Sequence, residues 1–153
     1  MAESAPGTGA TFHIDLPVVP GDVPVEIRLA DTDDVTVICR RILVVDDGPA
    51  FRNILHRTLS SDGHDVSLAS DGASAWTLIR GNQLDRIFLD LRMPGLDGQE
   101  LYQLITEFSQ DLAKKVVFIT GDTARADTQR FLDSTASPVL SKPFTIEAIR
   151  QLI

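Results

Sequence analysis

The chain has 153 residues, 43% of them hydrophobic and 24% charged, a profile that fits one ordinary globular domain with a short appendage. With 22 acids against 14 bases the formal net charge is −8, which repels phosphate backbones and argues against nucleic acid as a partner. One cysteine, Cys39, excludes an internal disulfide and a CxxC zinc site and points to a reducing cytoplasm, and no apolar run approaches the ~18 residues that a membrane contact by spanning helix would need.

Residues 1–40 differ from the rest. Seven of the 18 prolines and glycines fall in the first 24 positions, and the acidic excess is concentrated here. Met1 to Gly9 carries neither a basic region nor an apolar stretch, so it does not read as a secretory signal. Ala10 to Leu16 alternates apolar and polar residues, which predicts a strand with one apolar face. Val23 to Leu29 repeats the pattern, and Asp31, Asp33 and Asp34 make an acidic turn. Some 40 residues of this kind bury too little to stand alone, so they read as a short β-rich extension that ends near Arg40.

From Arg41 the rhythm changes. Ile42 to Val45 is a continuous apolar run, as a strand buried on both faces requires. Phe51, Ile54, Leu55, Thr58 and Leu59 follow at helical spacing, and Asp62-Gly63 ends that helix. Asp65 to Ala69 is a second strand. Asp71 caps a helix that Gly81 terminates. Arg86 to Leu89 is a third strand, and Met93-Pro94-Gly95 a loop. Gln99 to Phe108 is a helix with Leu101, Leu104, Ile105 and Phe108 on one face. Val116 to Ile119 is a fourth strand. Asp122 or Thr123 opens a helix that runs to about Ser134, Pro138 to Leu140 is a fifth strand, and Thr145 caps a last helix. Five strands alternating with five helices predict an α/β fold: a flavodoxin-like, doubly wound, five-stranded parallel sheet.

Such sheets bind ligands beyond the carboxyl ends of their strands. Asp46-Asp47 follows the first strand, Asp90 the third and Thr120 the fourth, and Lys142 lies just past the fifth. Singly, an Asp there is most often a turn or helix cap and a Lys a solvated charge. Together they form a site. Three carboxylates call for a hard divalent cation, and oxygen donors with room for water favour Mg²⁺. Thr120 can donate to a phosphoryl oxygen and Lys142 can hold another, leaving Asp90 as the nucleophile that forms an acyl phosphate.

Residues 41–153 resemble a response-regulator receiver domain. The matching stretches are Arg41 to Asp47, Leu89-Asp90-Leu91-Arg92-Met93-Pro94-Gly95-Leu96-Asp97-Gly98, Phe118-Ile119-Thr120-Gly121 and Ser141-Lys142-Pro143-Phe144. The resemblance implies that Asp90 is the phosphoacceptor, with Thr120 and Lys142 contacting the phosphoryl group. It implies that Asp47, Asp90 and the backbone carbonyl of Arg92 bind Mg²⁺, helped by Asp46. It also implies a cis peptide at Lys142-Pro143. One position departs from the family: Val139 stands where an aromatic ring often couples to phosphorylation, so a ring-flip switch is in doubt. Arg92 and Asp122 occupy positions that flank the phosphoryl group in the family and influence its lifetime. Two readings stay open for them, an ion pair that covers the acyl phosphate and an exposed pair worth little.

Residues 1–17, with Gly7-Thr8-Gly9 leading into Phe12 to Pro17, are similar to the final hairpin of a sensor histidine-kinase ATP-binding domain. This implies the tail of a hybrid histidine kinase, with a linker over residues 18–40 and the receiver after it. No P-loop lysine follows the glycines. His13, His56 and His64 lack the context of a phosphodonor, so a sensor histidine kinase or histidine phosphotransfer domain must supply the phosphoryl group. Whether the chain forms a homodimer is left open. The alternative function is an interaction scaffold independent of phosphorylation. A phosphatase with an Asp nucleophile would need a second Asp at Arg92, and guanidinium cannot act as general acid or base there. The chain reads as a signalling module rather than an enzyme, and with one short helix expected after Lys142 it does not read as a transcription factor.

Overall fold

The structure is a computed structural model that describes residues 2–4, 10–12, 38–121 and 123–153. The expected strand over Val23 to Leu29, the acidic turn at 31–34, His13 and Asp122 lie outside the described residues. The chain divides into two compact units, Met1–Val35 and Thr36–Ile153. In the first, β1 (Ala2–Ser4) pairs antiparallel with β2 (Ala10–Phe12), Ala2 opposite Phe12.

The second unit runs β3 (Arg41–Val45), α1 (Pro49–Ser61), β4 (Asp65–Ala69), α2 (Gly72–Gly81), β5 (Arg86–Asp90), α3 (Gly98–Phe108), α4 (Gln110–Ala113), β6 (Val116–Thr120), α5 (Ala126–Asp133), β7 (Val139–Ser141) and α6 (Ile146–Arg150). Its five strands are all parallel, in the order β4-β3-β5-β6-β7. This is the expected doubly wound sheet.

The period of two along each strand builds two cores. Leu43, Val45, Ile87, Leu89, Val116 and Phe118 point to one face, where they meet residues of α2, α3 and α5 such as Ala75, Leu101 and Phe131. Ile42, Val44, Phe88, Val117 and Ile119 point to the other, against Leu55 and Leu59 of α1 and Ile149 of α6. The central strands β3, β5 and β6 are thus apolar on both faces, which explains their unbroken hydrophobic runs.

Local signals set the helix ends. Pro49 starts α1, and Gly63 takes the positive φ (89°) that follows it. Asp71 accepts from the Ser74 N–H at 2.8 Å, Thr145 accepts from the Ala148 N–H, and Asp97 and Glu100 form a reciprocal capping box on α3. The expected helix from Asp122 or Thr123 is corrected: α5 begins only at Ala126, because the backbone at Arg125 is extended (ψ 132°) and residues 123–125 stay outside the helix. The short α4 was not expected either. Ser109 breaks the run after α3 by accepting from the Leu112 N–H and so starts a new turn. Ile54, expected on the core face of α1, is 56% exposed.

Two glycines let the strand ends close. A Cβ on Gly98 would lie 2.3 Å from the Asp90 carbonyl oxygen and 2.7 Å from Leu91 Cα. One on Gly72 would lie 2.4 Å from the Leu96 carbonyl oxygen. Only hydrogen fits at these two contacts, and they press α2 and α3 onto the loop that follows Asp90.

Candidate functional site

Strand register brings the site together. Val45 sits level with Leu89, so Asp46 and Asp90 emerge side by side from neighbouring strands. Asp90 is level with Ile119, and Thr120 with Ser141, which sets Thr120 and Lys142 on the far side of Asp90. Oxygens of Asp46, Asp47 and Asp90 lie within 4.8 Å of one another. Asp46 and Asp90 are buried, at 1% and 5% exposed, and Thr120 is fully buried, while Asp47 faces solvent.

One cation bridges the buried acids. Lys142 Nζ donates to Asp46 Oδ2 and to Asp90 Oδ2, each at 2.7 Å, and sits 4.6 Å from the centre of the Phe51 ring. The other oxygens are held by the backbone. The Gly48 N–H donates to Asp46 Oδ1 at 2.7 Å, and the Arg92 N–H donates to Asp90 Oδ1 at 3.0 Å. The Arg52 guanidinium donates to the Asp46 carbonyl. Burial pushes the Asp90 carboxyl up, opposed by the bonds from Arg92 and Lys142 and reinforced by Asp46. Burial also works against the Lys142 ammonium, but its bonds to Asp46 and Asp90 outweigh that and raise its pKa.

Two carboxylates share a single ammonium here, with a third beside them, so the cluster is short of positive charge. All its donors are oxygens, which fits a hard divalent cation better than zinc or copper. The peptide at Lys142-Pro143 is cis, as the resemblance implied.

The structure places the remaining expected residues as follows. Val139 lies on β7 and is 40% exposed. Asp122 is outside the described residues, and Arg92 instead reaches Asp127 Oδ2 at 3.7 Å and Thr128 Oγ1 at 3.3 Å on α5. Sequence reasoning missed four neighbours of the site: Phe51 under Lys142, Arg52 on the Asp46 carbonyl, and Asp127 and Thr128 around Arg92. Phe51 and Arg52 follow the Asp46-Asp47 pair within about one helical turn of α1, which is the signal that would have found them. His56 is exposed and His64 accepts from the Arg40 N–H, so neither touches the acids. Trp76 packs edge-on against Phe108, as a packing residue should.

Among the described residues, no helix is long and apolar enough to cross a membrane. The family of the response regulator receiver domain matches residues 42–153. The chain is 32% identical to the sensor histidine kinase RcsC of Salmonella typhi over 143 residues, which is 94% of this chain and 14% of that protein. It is 39% identical to the response regulator MprA of Mycobacterium sp. (strain KMS) over 109 residues, 71% of this chain and 46% of that one. It therefore spans less than half the length of either relative. Among solved structures it resembles the receiver domain of the sensor histidine kinase PA1611 from Pseudomonas aeruginosa PAO1, crystallised with magnesium coordinated in the active-site cleft. The TM-score is 0.66 at 28% identity, covering 74% of this chain and 94% of that one.

Proposed function

Because this chain belongs to the response regulator receiver domain family of two-component systems, we propose that it accepts a phosphoryl group from a phosphohistidine onto Asp90 and thereby changes its interaction surface. The observation that carries this reading is the convergence of Asp46, Asp47, Asp90 and Lys142 at one sheet edge.

In this reading an oxygen of Asp90 attacks phosphorus, the P–N bond of the donor breaks, and the imidazole leaves with the electron pair and takes up a proton. Lys142 transfers its contact from Asp90 to a phosphoryl oxygen, and Thr120 donates to another. The Arg92 and Gly48 N–H groups hold the carboxylates, so the nucleophile is oriented before the donor arrives. Asp46, Asp47, Asp90 and the Arg92 carbonyl would hold Mg²⁺. When bound, that ion neutralises the carboxylates and the charge of the phosphoryl oxygens. The chain catalyses only its own phosphorylation and dephosphorylation.

The partner in this reading is a sensor histidine kinase or a histidine phosphotransfer domain. Similarity to RcsC over 94% of the chain cannot be held within residues 41–153, so it runs into the first segment. This supports residues 1–17 as the end of a kinase ATP-binding domain, residues 18–40 as a linker and residues 41–153 as the receiver of a hybrid kinase.

The test is incubation with acetyl phosphate, with and without Mg²⁺, followed by intact-mass spectrometry of wild type and Asp90→Asn. The expected result is one added phosphoryl group that needs both Mg²⁺ and Asp90. A folded wild type that takes up none at saturating Mg²⁺ refutes the proposal and leaves the phosphorylation-independent scaffold.

A further inference from the structure

A second charged network borders the site and ties it to α5. The Arg92 N–H already bonds to Asp90, so this residue starts one hydrogen bond from the phosphoacceptor. Its side chain, however, reaches α5. There the guanidinium lies 3.7 Å from Asp127 Oδ2 and 3.3 Å from Oγ1 of Thr128, a residue only 1% exposed.

Asp127 is held twice. Arg125 also binds it, Nε to Oδ1 and an Nη to Oδ2, both at 3.2 Å. Arg125 first, and then the Thr128 N–H, bring the Asp127 carboxyl down to about 2, so it is ionised at any working pH. Two guanidiniums therefore share one carboxylate. Beside them opens a cavity of about 430 Å³ lined in part by Arg92, Pro94, Asp97 and Asp127, with room for the Arg92 side chain to move.

We propose that Arg92 is an exchangeable cation: Asp127 holds it on the first turn of α5 until a phosphoryl group on Asp90 draws it away and loosens that turn. This rests on Asp90 being the phosphoacceptor. A phosphoryl group brings nearly two negative charges and a set of oxygens that match the guanidinium fork. Asp127 keeps Arg125 when Arg92 leaves, so release strands no carboxylate. It does strip the buried Thr128 hydroxyl of its donor, which weakens the start of α5. The route from phosphoryl group to helix thus runs through Arg92 and does not need a ring at Val139. Coupling is reciprocal: whatever weakens the hold of Asp127 must favour Arg92 at the phosphoryl group. Placed there, the guanidinium shields the acyl phosphate from water.

The test is the lifetime of the adduct formed with acetyl phosphate and Mg²⁺, followed by intact mass after donor removal. Asp127→Asn should lengthen it by about two- to fivefold, the range open to an exposed ion pair. Arg92→Ala should shorten it. In the Arg92→Ala background, Asp127→Asn should then have no effect, a result that a general change of field would not give. Hydrogen exchange provides a readout apart from lifetime. Amides of residues 129–132, which close the first turn of α5, should exchange faster when Mg²⁺ and beryllofluoride occupy the site of wild type. In Arg92→Ala they should be fast already and unresponsive. An Asp127→Asn effect equal in both backgrounds, or exchange at 129–132 that ignores beryllofluoride, overturns the inference. Failure of wild type to form an adduct overturns the phosphoacceptor reading, and this inference with it. An adduct whose lifetime ignores Asp127 overturns this inference alone.

Discussion

Gly98→Ala tests whether the loop after Asp90 is held by backbone contact with α3. The new methyl group would sit 2.3 Å from the Asp90 carbonyl oxygen and 2.7 Å from Leu91 Cα, and both obstacles are backbone that no rotamer change can clear. Either α3 or the end of β5 must move by close to 1 Å to restore van der Waals contact. Overpacking of this kind costs about 1–3 kcal/mol. Helix propensity and the stiffer unfolded chain return up to about 1 kcal/mol. The expected net loss is about 1–2 kcal/mol, a fall of roughly 0.5–1 M in the urea midpoint at a slope near 2 kcal/mol/M. Because the displaced group is the phosphoacceptor's own peptide, the rate of adduct formation with acetyl phosphate should fall at least tenfold. Gly81→Ala is the control, since nothing lies within 4 Å of a Cβ there. It should stabilise by about 0.4–1 kcal/mol and leave the rate alone. If the two variants melt and react alike, the close approach does not hold the loop and the reasoning fails.

Other perturbations separate charge from packing at the site. Asp90→Asn removes one of two buried carboxylates, so in metal-free buffer it should raise stability by about 0.5–2 kcal/mol while abolishing the adduct. Burial raises the pKa of Asp90, so its contribution to stability is fully present below the ordinary carboxylate range and is lost as pH rises through the folded value; urea melts of Asp90→Asn should lack that slope. Lys142→Met leaves Asp46 and Asp90 buried without their shared cation and should cost about 3 kcal/mol without metal, part of it recovered in millimolar Mg²⁺; equal thermal midpoints would show that the bridge contributes nothing. At the opposite end of α1, Arg150 grips Asp62 through two bonds of 2.7 and 2.9 Å, the larger cause of Asp62's lowered pKa. Arg150→Ala should lower the thermal midpoint slightly near neutral pH, because the pair is exposed and screened by solvent. That difference from wild type is present above the ordinary carboxylate range and should vanish as pH falls through the folded value of Asp62.

The fold was legible because its information is local. Short unbroken runs such as Ile42 to Val45 read as strands covered on both faces, and Asp71, Thr145 and Gly63 mark helix ends by chemistry that acts within four residues. Parallel topology then makes every strand end point the same way, so Asp46, Asp47, Asp90, Thr120 and Lys142 were bound to meet once they were seen at strand ends. The misses share one property. Whether Ile54 is covered depends on what packs over α1, and the helix pattern places it on the core face regardless. Ser109 ends α3 and starts α4 because one hydroxyl finds one N–H, a choice a periodicity of 3.6 does not resolve.

By itself the sequence determined the sheet, its two covered faces and the acidic edge, since these follow from hydrophobic period, caps and the right-handed crossover. Only the tertiary structure decided the distances within that edge: Lys142 shared between Asp46 and Asp90, Gly98 against the Asp90 carbonyl, and Arg92 on Asp127. Arg92 and Asp127 are 35 positions apart and lie on different elements. Their meeting depends on how far α5 starts beyond β6, a start marked by extended backbone at Arg125. A long side chain chooses among the charges within its reach, and which charges those are is fixed by packing.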